Sequence, residues 1–148
     1  MRSQVVKTQA CLFGATLACV LAGCAASPPQ LQKIGARPIT PEQEVLTAAL
    51  YVHFPYLRTL RRAESGNLSA LRELIEFSVH TDAAASLAHG WVLLELRDII
   101  GREAFQKAIT AASARACERT LSLIEVAGTY EPYASADLDL QLLHCASH

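Results

Sequence analysis

The sequence predicts an all-α domain. Apolar residues recur at three- and four-residue spacing over long stretches, and no useful length alternates with period two while being rich in β-branched residues. Glycine, proline and asparagine punctuate the pattern, leaving short connections that favour antiparallel neighbours. Four to five helices are expected, as a compact bundle or as stacked helical hairpins.

The elements follow in order. Thr40-Pro41-Glu42-Gln43 combines a threonine N-cap, a proline at the first helical position and a glutamine in the capping-box place, and Val45, Leu46, Ala49 and Leu50 share the face behind it. Pro55 removes a backbone donor and disfavours helix at Phe54, so this helix breaks there and resumes over 56–63 until Gly66-Asn67. Leu68, Leu71, Leu74, Ile75 and Val79 trace the second helix, with Arg72, Glu73 and Glu76 on its other side. Thr81-Asp82 ends it and caps the next. From Ala83 to Ile100 apolar residues occupy most of the circumference, which marks the central helix, and Gly101 closes it. Phe105, Ala108, Ile109, Ala112, Ala116, Leu121 and Ile124 trace a long fourth helix; Glu103, Lys107, Arg115, Glu118 and Arg119 form its outer face, with Glu103 and Lys107 as an i,i+4 pair. A loop through Pro132 and a short helix over about 135–145 complete the chain. Ala70, Leu71, Ile75 and Ser78 match Ala104, Phe105, Ile109 and Ala112 at an offset of 34, a period that resembles tetratricopeptide-type repeats although their full pattern is absent.

The first two dozen residues are a separate matter. Arg2 and Lys7 precede an apolar run from Ala10 to Ala22 with no acidic residue, and small residues follow at the expected cleavage point. That is a secretory signal, and its apolar stretch is short of the ~20 residues a spanning helix needs. Leu21-Ala22-Gly23-Cys24 resembles the lipobox of bacterial lipoproteins. The resemblance implies cleavage before Cys24, diacylation of its sulfur and commonly acylation of the new amino group. Residues 1–23 are then a cleaved signal peptide, 24–39 a lipidated cysteine and tether marked by Ser27-Pro28-Pro29, Gly35 and Pro38, and 40–148 one domain. Several acyl chains, at ~0.8 kcal/mol per buried CH₂, anchor a protein stably. Ala25, in place of the aspartate that commonly retains such proteins at the inner membrane, implies the periplasmic face of the outer membrane where the source has two membranes.

Losing Arg2 and Lys7 lowers Lys+Arg from 13 to 11 against 14 acidic residues, a net charge of −3. No basic patch points to nucleic acid, and no polybasic segment adjoins the anchor to read anionic lipid. Cys11 and Cys19 leave with the signal, Cys24 takes lipid, and Cys117 and Cys145 remain as a candidate disulfide; a buried Cys117 with a reduced Cys145 is the alternative.

Candidates for chemistry are few. His144, Cys145 and His148 offer donors suited to zinc or copper at the C-terminus, and His80, Asp82 and His89 bracket a helix boundary. No nucleophile elbow, phosphate-cradling glycine pair or His-Glu-x-x-His occurs, so neither enzyme activity nor a cofactor is expected. Tyr51, His53, Phe54 and Tyr56 surround Pro55, while Tyr130 and Tyr133 flank Pro132. Tyrosines at helix breaks suit partner contacts, and Tyr51, Phe54, Tyr56, Tyr130 and Tyr133 are the interface candidates; capping of the bundle ends is the other reading. The expected function is a lipid-anchored extracytoplasmic module that binds a protein partner or supports an envelope assembly. The alternative is a small envelope enzyme, or an accessory subunit of one, in which two of His53, His80, His89 and His144 meet a carboxylate in a cleft.

Overall fold

The computed structural model describes residues 37–130 and 143–145. Among them the structure is all-α, with helices α1 (Gln43–Tyr51), α2 (Tyr56–Glu64), α3 (Leu68–Phe77), α4 (Ala83–Ile100), α5 (Arg102–Thr110) and α6 (Ala114–Ala127), and a single 3₁₀ turn over Ser78–His80. No helix among the described residues is long and apolar enough to cross a membrane.

Six helices lie among the described residues, where four to five were expected for the whole domain, because the first divides at Pro55 into α1 and α2 and the long fourth divides as well. Ser113 starts α6 as its N-cap, its hydroxyl accepting from the Ala116 N–H at 3.4 Å. Glu76 of α3 secures the break from outside, taking the Ser113 N–H at 2.6 Å and its hydroxyl at 2.7 Å. The turn over 111–113 sends α5 along α3 and α6 along α4. Three further boundaries shift. The first helix begins at Gln43 after Glu42, with no side-chain cap, so Thr40 does not cap it. Ile39 belongs to the core rather than to the tether; its N–H donates to Glu64 Oε1 at 2.5 Å. Residues 143–145 are not helical, and the rest of the predicted last helix lies outside the described residues. Other punctuation falls where the side chains require it. Asn67 and Asp82 cap α3 and α4, accepting from Ala70 N–H at 2.9 Å and Ala85 N–H at 3.1 Å. Gly101, at φ 89°, joins α4 to α5 in a conformation few other residues adopt.

Helix α4, about 27 Å long, is the axis of the domain. It packs against α1, α2, α5 and α6, while α3 packs against α2, α5 and α6. One apolar core runs from Ile39 through Phe77, Leu93, Leu94, Phe105 and Ile124 to Leu143. The segments matched at an offset of 34 include α3 and α5, which face each other; Leu71, Ile75, Phe105 and Ile109 all point into this core. Cys117 and Cys145 form a disulfide with Cα atoms 5.8 Å apart. Beside it the Gln106 amide pairs with the His144 backbone, donating to its carbonyl at 2.8 Å and accepting its N–H at 3.3 Å.

The α4–α6 crossing is closed by Gly90. A Cβ at that position would lie 2.7 Å from the Leu123 carbonyl oxygen and 2.8 Å from Ala127 Cβ. Gly90→Ala gains up to ~1 kcal/mol of helix propensity but must push two backbones apart, so a net loss of about 1–2 kcal/mol is expected from overpacking. Urea unfolding checks this. A rise in midpoint would mean that the helices separate without cost.

Candidate functional site

The only fully buried histidine among the described residues sits at the centre of an aromatic cluster. On α2, Tyr56, Thr59, Leu60 and Ala63 recur at one helical face and point inward. This carries the Tyr56 hydroxyl to 2.7 Å from His89 Nδ1, while His89 Nε2 lies 3.1 Å from the Leu74 carbonyl oxygen. A carbonyl only accepts, so Nε2 carries the proton and donates to Leu74; Nδ1 then accepts from the Tyr56 hydroxyl. Phe77 meets the rings of Phe54, Tyr56 and His89 with centroids 4.8–5.3 Å apart. Burial pushes the His89 pKa down to about 4, partly opposed by the bond to Leu74, and lifts that of Tyr56 well above its ordinary value. A neutral imidazole with both nitrogens engaged is a structural centre, not a general base.

Tyr56 is therefore corrected: at 3% exposure it is no interface residue. Phe54 is half-buried and stacked on Phe77. Tyr51 stands 83% exposed and Tyr130 52% exposed, whereas Tyr133 lies outside the described residues. Among the described residues no three His, Cys, Asp or Glu side chains gather as a metal site. His89 is sealed in the core, His53 is on an exposed corner, and His144 is held near α5 by Gln106. Cys145 is committed to the disulfide, and His148 lies outside the described residues.

The exposed large apolar side chains, Leu68 apart, fall into two groups. Leu50, Tyr51, Val52 and Leu57 mark the corner between α1 and α2, and Val126 and Tyr130 mark the end of α6. The second group borders a groove of about 260 Å³ between α4 and α6. Leu87, Leu123, Val126 and Tyr130 line its apolar side, and Ser86, Ser122 and Arg119 its polar side. Arg119 was expected on the solvated outer face. It is instead half-buried, with Nη2 donating to Ser86 Oγ at 2.6 Å and towards the Thr81 carbonyl at 3.4 Å. No carboxylate among the described residues pairs with it. A guanidinium whose partners are a hydroxyl and a carbonyl retains its full charge for an anionic group. The groove can thus take an apolar side chain alongside a carboxylate or phosphate. The sequence signal for it was slight: Arg119 sits four residues before Leu123 and seven before Val126, which puts all three on one side of α6.

No family model, curated protein or solved structure matches this chain.

Proposed function

We propose that the chain is a lipid-anchored extracytoplasmic module whose α4–α6 groove holds a protein partner. The groove carries the reading. It joins an apolar wall ending in exposed Val126 and Tyr130 to the Arg119 cation, which has no carboxylate partner among the described residues, and this suits a partner segment with an apolar side chain beside an acidic group. The anchor rests on the lipobox at Leu21 to Cys24, and the Cys117–Cys145 disulfide supports an oxidising compartment. The periplasmic face of the outer membrane is the proposed location where the source has two membranes. The envelope-enzyme alternative draws no support from the histidines described above.

Two measurements test the parts separately. Metabolic labelling with a palmitate analogue should mark the wild type and not Cys24→Ser; label kept by the variant refutes acylation there. For the groove, a photo-crosslinking side chain at Val126 should give a discrete partner adduct in intact membranes, and one at exposed Glu118 should not. The same products from both positions, or none from Val126, would remove the groove as the binding site.

A further inference from the structure

We propose that the outer face of α2, with the corner that precedes it, lies on an anionic bilayer surface and holds the anchored domain in one orientation. The proposal rests on the lipid anchor at Cys24 and concerns a different surface from the groove. Between Glu44 and Glu64 the chain contains no acidic residue, yet it carries His53, Arg58, Arg61 and Arg62 in a protein of net negative charge. The inward turn of Tyr56, Thr59, Leu60 and Ala63 leaves Leu57 and all three arginines on the opposite side of α2. Arg58 has no carboxylate partner among the described residues, while Arg61 pairs at 2.7 Å with a Glu64 carboxylate that is itself mostly covered, and Arg62 with Glu73 at 3.5 Å in an exposed contact. The exposed Arg62–Glu73 pair is weak and can be exchanged for phosphate, and Arg58 is open to it already.

The corner supplies the apolar part. His53 N–H donates to the Leu50 carbonyl at 3.1 Å and Phe54 N–H to the Ala49 carbonyl at 2.8 Å, with His53 in the left-handed region at φ 53°. That tight reversal leaves Leu50 75%, Tyr51 83% and Val52 42% exposed at the N-terminal end of the helix that bears the arginines. Aliphatic side chains, a tyrosine and guanidinium groups together match the acyl boundary, the interface and the headgroup layer.

The attachment point favours a bilayer over a second protein as the occupant. The Ile39 N–H is bonded to Glu64, so the chain coming from Cys24 joins the domain at the C-terminal end of this same helix. Fourteen residues lie between Cys24 and Ile39, a reach of about 20 Å at random-coil scale, and α2 is about 13 Å long. The patch therefore meets the bilayer at the high effective concentration that a short tether sets. Sequence distance hides this: the arginines lie far from Cys24 along the chain and beside its lead in the fold.

The test uses the lipidated full chain in vesicles of phosphatidylethanolamine and phosphatidylglycerol, with a nitroxide on Val52→Cys or, as control, on Glu118→Cys. Position 52 should collide preferentially with oxygen, which concentrates in lipid, and position 118 with a water-borne nickel chelate. Arg58→Gln, Arg61→Gln and Arg62→Gln together should lower the immersed fraction about tenfold. Position 52 as open to the chelate as position 118, or immersion unchanged by the three glutamines, overturns the proposal; the former would leave the patch to a protein. Loss of the anchor reads differently, since the chain would then fail to float with vesicles at all, and that overturns both readings.

Discussion

Replacing Cys117 and Cys145 together by alanine is expected to lower the free energy of unfolding by about 3.5 kcal/mol. The bond closes a loop with a sequence separation of 28, and the chain-entropy model assigns roughly that value to a loop of this size. The native side offers little relief, because Cys117 is buried and Leu143 enters the core two residues before Cys145. Without the covalent link, Leu143 in the core and the Gln106 amide pair still hold residues 143–145 against α5. For a domain with a typical stability of about 5–15 kcal/mol, the loss is a large part of the whole. Urea unfolding of wild type with and without reductant, alongside the double variant, measures it. Reduction and substitution should agree, and a loss under about 1 kcal/mol would show that the loop is already restrained without the bond.

The second large effect is a loss of stability in mild acid through His89. Its ordinary pKa of 6.5 applies to the unfolded chain, and the folded value is about 4. The folded state therefore binds fewer protons between these values, and stability is whole above pH 6.5. As pH falls the unfolded state is protonated first, and the contribution drains until pH 4, where the folded state also takes the proton. The difference amounts to about 3 kcal/mol at 1.36 kcal/mol per pKa unit. Protonation at Nδ1 would also set an N–H against the Tyr56 hydroxyl that now donates to it. An NMR titration should find the His89 ring neutral, with the proton on Nε2, down to about pH 5, and charging only as the pH approaches 4. His89→Gln, although less stable at neutral pH, should lose less between pH 6.5 and 4 than wild type; an equal loss would assign the acid sensitivity to other groups.

Much of the fold was legible because its signals are local. Pro55, the capping Asn67 and Asp82, and Gly101 each place a boundary through their own backbone or side chain. The break at Ser113 was missed because the Ala-rich stretch around it has high helix propensity, and the carboxylate that secures it comes from Glu76 on another helix. Tyr56 was misread through its neighbours: clustering around Pro55 suggested a surface, while its register with Thr59, Leu60 and Ala63 already placed it inside. His89 was singled out in the sequence for its neighbours His80 and Asp82, but its pairing carried no sequence signal, since its partners are a tyrosine and a backbone carbonyl from two other helices. Arg119 was read as solvated because nothing local indicates that Thr81 and Ser86 fold over it.

The bare backbone at Gly90 has a bearing on recognition as well as on folding. Leu123 contributes its carbonyl to the contact with Gly90 and also lines the groove, while Ser86 and Leu87 lie one turn earlier on α4. Gly90 thus acts as a pivot at which the two helices touch, and it sets the spacing between the α4 wall of the groove at Ser86 and Leu87 and the α6 wall at Arg119 and Leu123. A wedge at this pivot would widen the mouth without altering any residue that lines it, changing which partner segments fit while leaving the chemistry of the walls untouched.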